Sequence, residues 1–381
     1  MIPASVSLAV SMLSIVALGD IPAGKPWGNY SGDPSNSALH ACTPSDWKHG
    51  RWVHGAKRCG LESVYKYPFK EVTKMTAPPG PHPWADWCFH PAFCEPELFS
   101  IESFCSKLSG RGLLLVGDSQ TEAFYTVIVH QLGLERGKDY LGRNNFFNVS
   151  EHMKVCEGMG GGRLAFTKDS YPLMKPCQNT SAKYRLPYLN VPDWHHFAHL
   201  FELLVMNQGA HPVVPLEYKA GVNATAFWLK ENYSGFFFFR TTPPGHRGVT
   251  ITSSVDTQLL LTDPDWPHKD QIPEHYHWDL FPELDAFAVA TFNKILQNRF
   301  CPLHVAAMTY LRRDGHRLKQ RKGGYDELHY YFPSVYDSWI HVFFNFIPTE
   351  PMQSLYLSQI MKNTRIEQRN NSRAEGPPQP R

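Results

Sequence analysis

Apolar positions follow no fixed period over roughly the first hundred residues, and from Gly112 the pattern changes. Leu113-Leu114-Leu115-Val116 is a continuous apolar run, the signature of a strand covered on both faces. Gly117-Asp118-Ser119 follows as a turn. Phe124, Val127, Ile128, Gln131 and Leu132 then fall nearly on one helical face, which Gly133 can end. The layout recurs. Phe201 to Met206 reads as a strand and Asn207-Gln208-Gly209-Ala210-His211 as the loop after it. Phe236-Phe237-Phe238-Phe239 reads as another buried strand, followed by Arg240 through His246. A helix is predicted from Leu280 to about Asn298, a strand from His304 to Tyr310 and a late helix from Val335 to Phe346. Alternating strands and helices predict an α/β protein with an open, mainly parallel sheet covered on both sides. In such sheets chemistry gathers at the carboxyl ends of strands, where these polar loops fall.

The segment from 20 to about 105 is rich in Pro, Gly, Trp and Cys and reads as a loop-rich lobe pinned by disulfides, ahead of a catalytic region over 106–350. Residues 363–381 are polar and read as a disordered tail. Residues 1–19 read as a signal peptide or signal anchor: Ile2 to Leu18 carries no charge, and Ala17-Leu18-Gly19 offers small residues for cleavage. A membrane is a partner only if that segment is retained. Asn-x-Ser/Thr acceptors begin at Asn29, Asn148, Asn179, Asn223, Asn232 and Asn370, as expected of a glycosylated surface. The 8 cysteines are even in number and form no CxxC zinc pattern, so disulfides in an oxidising lumen are expected. With 37 basic against 35 acidic residues, the chain has no excess charge suited to a phosphate backbone, which argues against nucleic acid.

Ser119 is the leading candidate nucleophile. At a strand-to-helix turn its hydroxyl is presented at the sheet edge, and its N–H lies where unpaired donors and the helix dipole favour an oxyanion. The same position suits a serine that merely caps a helix. Asp326-Glu327-Leu328-His329 changes the balance, because an aspartate three residues before a histidine can hold one ring nitrogen and leave the other to take the Ser119 proton. Asp265 and His268 have the same spacing but rank lower, between flanking prolines. Asn207 is a candidate oxyanion donor beside the Ser119 N–H, with a turn-forming asparagine as the plainer reading. The run Gly158 to Gly162 is a second candidate source of a backbone donor, or an ordinary loop. Asp118, Arg240 and His211 are candidate substrate contacts. His275, His277 and Asp279 have metal-ligand chemistry, but in a chain with 19 histidines the accidental cluster is the better reading, so no metal or cofactor is expected. Trp194, His195, His196 and Trp228 suit a sugar-stacking platform or, more ordinarily, core.

Several blocks, taken in order, resemble the PC-esterase family, which includes the plant trichome birefringence-like proteins. Leu115-Val116-Gly117-Asp118-Ser119-Gln120 resembles its GDS block, and Asp326 to His329 followed by Tyr330 its DxxH block, with Asp337-Ser338-Trp339 just beyond. Cys42 with Gly50-Arg51-Trp52-Val53, then Trp87, Pro91 and Cys94, is similar to its amino-terminal signatures. Val205 to His211 resembles its Asn-x-Gly-His region with one residue extra, and Phe239-Arg240-Thr241 through His246 its Phe-Arg-Thr strand end. Glu327 and Tyr331 stand where plant members commonly carry cysteines. The resemblance implies a three-layer fold like that of SGNH hydrolases and a Ser119–His329–Asp326 mechanism on O-acyl groups. It further implies an acyl donor and a polysaccharide or glycan acceptor as partners, in the Golgi lumen or outside the cell. O-acetyl transfer is the leading expectation, an acetylesterase the second, and a glycan-binding relative without chemistry the third.

Overall fold

The computed structural model describes residues 40–61, 84–134, 151–169, 171–173, 194–208, 211, 214–249, 255, 277–318 and 325–349. The expectations placed on 1–19, on 363–381, on Asp265 and His268, on Cys177, on His275 and on Asn29, Asn148, Asn179 and Asn370 lie outside them. Its strands are β1 (His40–Ala41), β2 (Gly50–His54), β3 (Trp87–Pro91), β4 (Cys94–Glu95), β5 (Gly112–Gly117), β6 (Glu151–Lys154), β7 (Arg163–Lys168), β8 (Leu203–Met206), β9 (Phe236–Arg240), β10 (Phe300–Leu303), β11 (His316–Leu318) and β12 (Tyr325–Tyr330). The helices are α1 (Ile101–Leu108), α2 (Ser119–Gln131), α3 (Pro215–Asn232), α4 (Phe281–Leu296), α5 (Ala306–Tyr310) and α6 (Val335–Phe346).

The central sheet has the order β10-β9-β8-β5-β7-β6 and is parallel except for β6, which pairs antiparallel with β7. Because side chains alternate along a strand, the continuous apolar runs feed two cores. Leu113, Leu115, Val205 and Phe238 meet Phe124 of α2 and Trp339 and Phe343 of α6 on one face. Leu114, Val116, Met206 and Phe239 meet Val222 of α3 and Phe292 of α4 on the other. The result is a helix–sheet–helix sandwich. β5 lies between β7 and β8, so the chain leaves it to one side and later returns on the other. That is the switch point at which open α/β sheets form a crevice.

The segments around β2 and β3 join the α6-side core: Trp52 donates from Nε1 to the Met308 carbonyl at 2.8 Å and lies under the Arg312 guanidinium. Disulfides Cys42–Cys94, Cys59–Cys88 and Cys105–Cys156 tie this region and fasten α1 to the start of the β6–β7 turn. Closing a loop of the Cys105–Cys156 span, 51 residues, removes chain entropy worth about 4 kcal/mol from the unfolded state. Cys301 departs from the all-disulfide expectation: it is a buried free thiol in β10, and burial pushes it up, well away from the thiolate.

Residues 304–310 also differ from expectation. The strand is Phe300–Leu303, at the sheet edge where Pro302 leaves no interior ladder bond unmade. The apolar run after it turns into α5, because the Thr241 hydroxyl accepts the N–H groups of Val305 and Ala306 at 3.0 Å each and caps the helix from another element.

Candidate active site

Ser119 is the first residue of α2, immediately beyond the carboxyl end of β5. Asp118 is the N-cap: its carboxylate accepts from the N–H of Gln120 at 2.9 Å and of Thr121 at 3.4 Å. The N–H of Ser119 is left as an uncapped first-turn donor. Gly117 is required by crowding, since a Cβ there would overlap Thr121 Oγ1 and lie 3.2 Å from the Asn207 carbonyl oxygen.

The aspartate and histidine arrive on β12, a strand paired antiparallel with β11 rather than a free loop. His329 Nε2 is 2.7 Å from Ser119 Oγ, and its Nδ1 is 3.1 Å from both Asp326 oxygens. With Nδ1–H donated to the carboxylate, Nε2 is bare and accepts the Ser119 hydroxyl proton. Asp326 also accepts the N–H groups of Leu328 (3.0 Å) and His329 (3.1 Å), and Arg317 donates to it from Nε and from a terminal nitrogen at 2.9 Å. Burial pushes the Asp326 carboxyl up, but the His329 bond and charge, Arg317 and the Leu328 N–H outweigh it and hold the group below the usual carboxylate range. It is therefore an anion at neutral pH. His329 and Asp326 keep 16% and 17% of their side chains exposed, enough for a substrate to reach the ring edge.

Gln120 of α2 ties to both β12 and α6. Gln120 Nε2 donates to the Leu328 carbonyl at 2.7 Å, and its Oε1 accepts from the Tyr336 hydroxyl at 2.8 Å. On the other side Gly245 lets the loop after β9 approach, since a Cβ there would overlap the Glu327 carbonyl oxygen and the Trp278 ring. Gln120, Arg317 and Gly245 carry no assignment in the sequence reading. Gln120 adjoins the nucleophile and so had a positional signal; Arg317 and Gly245 had none.

Other expectations are corrected. Asn207 has no exposure, and its amide nitrogen already donates to the Arg240 carbonyl (2.8 Å) and Thr242 Oγ1 (2.9 Å), while its Oδ1 accepts from Arg240 at 2.6 Å. Both amide hydrogens are committed, so it is a brace between the ends of β8 and β9, not an oxyanion donor. Arg240 is fully buried, lies over the Trp339 ring and bonds Asn207, and a guanidinium with no exposed surface does not contact substrate. Burial pushes Arg240 down to about 10, against the pull of Asp118 and Asp285. Burial pushes Asp285 up to about 7, opposed by the Thr242 N–H and by Arg240. Asp118, 1% exposed, is likewise a cap and not a substrate contact. His211 fits its assignment better: it is 32% exposed, with Nε2 4.0 Å from Asp118 beside the Ser119 turn.

The Gly158–Gly162 run joins β6 to the amino end of β7. Parallel register puts Arg163 beside Gly112 and Lys168 beside Gly117, so this turn is a strand length, about 20 Å, from Ser119. It supplies no donor to the site. Trp194 is core, 2% exposed and bonded to the Pro172 carbonyl, with Trp228 and His195 packed edge-on around it. Among the described residues no three His, Cys, Asp or Glu side chains group as metal ligands, and no helix is long and apolar enough to cross a membrane. Scanning against family models finds no match to this chain, and a search of curated proteins finds none either.

Proposed function

We propose that this protein is a serine-dependent O-acyltransferase of the PC-esterase and SGNH type, moving an acetyl group onto a glycan hydroxyl. The observation that carries the reading is the linear arrangement Ser119 Oγ, His329 Nε2, His329 Nδ1 and Asp326, with contacts of 2.7 and 3.1 Å. Its members come from sequence positions 210 residues apart. A serine that only capped a helix would have no use for this histidine.

In the proposed cycle His329 takes the proton of Ser119 as Oγ attacks the acyl carbonyl. Asp326 holds the ring and offsets the charge of the imidazolium. The Ser119 N–H and the amino end of α2 stabilise the oxyanion. The imidazolium then protonates the departing donor oxygen, leaving acetyl on Ser119. A sugar hydroxyl, deprotonated by His329, attacks this ester and restores the serine. His211 at the rim is the candidate contact for the entering sugar. The three disulfides support a secretory or extracellular setting, where such an acceptor is found.

Purified protein incubated with an activated fluorophosphonate is expected to be labelled at Ser119, and Ser119→Ala is expected to stay unlabelled. Incubation with an acetyl donor, with and without glycan, reads the acceptor. Donor loss that ignores the glycan would make the enzyme an esterase, and intact protein that resists the probe would make it a non-catalytic relative.

A further inference from the structure

We propose that His246 and His316, meeting edge to face beside the strand that carries His329, share one proton and act together as positioning residues for that base. The proposal rests on the reading of Ser119, His329 and Asp326 as the catalytic group. Both imidazoles are buried, at 2% and 1% exposure, and each ring nitrogen faces a defined partner. His246 Nε2 is 2.7 Å from the Tyr310 carbonyl oxygen, and His316 Nδ1 is 3.1 Å from the His329 carbonyl oxygen. The remaining nitrogens, His246 Nδ1 and His316 Nε2, face each other at 2.8 Å.

Proton counting decides the state. A carbonyl oxygen only accepts, so His246 Nε2 and His316 Nδ1 must both carry hydrogen. Two neutral rings have no hydrogen left, and their contact would oppose two lone pairs at 2.8 Å. A third proton, placed between them, satisfies all the contacts and gives the pair a single positive charge. The Tyr330 hydroxyl, 3.2 Å from His246 Nδ1, can donate to that nitrogen but still leaves the contact to His316 one proton short. Burial works against charge here, pushing both rings down, His316 to about 3, so the pair holds no more than this one charge, and the 2.8 Å contact between two otherwise bare nitrogens is what favours it. The surrounding groups are Tyr310 of α5, stacked on His246; Tyr330, His329 and Asp326 of β12; and Arg313 and Asp314 before β11. Asp314 and Asp326 favour the shared proton, while Arg313 and a charged His329 oppose it.

The pair grips the catalytic strand at alternate carbonyls. The backbone N–H of His246 donates to the Glu327 oxygen at 2.7 Å, and the His316 ring donates to that of His329. A charged donor makes the stronger bond, so loss of the shared proton slackens the hold on the residue that must meet Ser119.

The test uses the full chain and follows the fluorophosphonate labelling rate of Ser119 against pH in wild type, His316→Asn and His316→Ala. Asparagine places an amide near the Nδ1 position, keeping a donor for the His329 carbonyl, and removes the nitrogen that meets His246. Wild type is expected to lose rate at alkaline pH as the shared proton leaves. His316→Asn is expected to keep the maximal rate within about threefold but lose that alkaline limb, whereas His316→Ala falls at least about tenfold at every pH. An alkaline limb shared by wild type and His316→Asn, or wild-type labelling in His316→Ala, overturns the proposal. Wild type unlabelled at every pH would instead overturn the catalytic reading. The pair is then read without activity, by NMR of histidine-labelled protein. One proton coupled to nitrogens of both rings is expected, and its absence at every pH removes the inference.

Discussion

Two glycine-containing turns beside the central strands are candidates for the site in the sequence, the one at Ser119 leading, and they end at opposite ends of the strands. The Gly117-Asp118-Ser119 turn closes the carboxyl end of β5, where an added Cβ would collide with Thr121 and where Ser119, Asp118 and Gln120 each bond a defined partner. The Gly158–Gly162 turn sits before the amino end of β7, and added Cβ atoms at Gly158, Gly160 and Gly161 would meet nothing within 4 Å. The first turn is crowded at its glycine, whereas in the second only Gly162, packed against Leu108 and the Arg111 carbonyl, is confined. Glycine content does not separate them. Strand direction does, because the carboxyl end of β5 opens on the crevice, whereas the turn between antiparallel β6 and β7 lies at the amino ends of β5 and β7.

The sharpest way to break the comparison is at the crowded turn. Ser119→Ala is expected to abolish probe labelling, and His329→Gln to lower turnover at least about a thousandfold with little change in melting temperature. Full turnover in either variant would remove the carboxyl-edge turn from the chemistry. Gly117→Ala forces a methyl group into Thr121 and is expected to destabilise by about 1–3 kcal/mol and slow labelling together. Denaturant unfolding beside labelling kinetics checks both.

Asn207→Ala sharpens what belongs to the site. It removes the shortest of the buried acceptors of Arg240, so a loss of about 3 kcal/mol in stability is expected. Labelling per folded molecule should change by less than about tenfold, whereas removal of an oxyanion donor costs about a hundredfold or more. A hundredfold loss at unchanged stability would restore Asn207 to the oxyanion site.

Arg317→Ala acts on the aspartate. Because the Asp326 carboxyl is held below its ordinary value, its contribution is complete above about pH 4 and is lost as pH falls through the lower folded value. The variant should therefore be less stable than wild type at pH 6, with the gap narrowing on acidification. Arg317 is partly exposed, so the gap is small, within about 1 kcal/mol. A gap that is constant with pH would mean that the bridge does not set the Asp326 charge. Smallest of all is Met159→Ala on the open turn, expected to change labelling by less than about twofold; a larger effect would place that turn at the site after all.

What the residues alone declared was local. The runs Leu113–Val116 and Phe236–Phe239 are apolar at every position, as suits a strand covered on both faces, and both are such strands. Ser119 at the strand-to-helix junction and the three-residue step from Asp326 to His329 are likewise short-range patterns. What needed the folded chain was every choice between equal local readings. Thr241 turned the run after β10 into a helix, and the Arg240 carbonyl and Thr242 claimed the amide of Asn207. Register carried the glycine run to the far edge, and burial withdrew Arg240 from substrate. Hydrogen-bonding capacity is written in each residue, but its partners come from distant segments, so only tertiary packing decides which donors are spent and which, like the Ser119 N–H, stay uncapped.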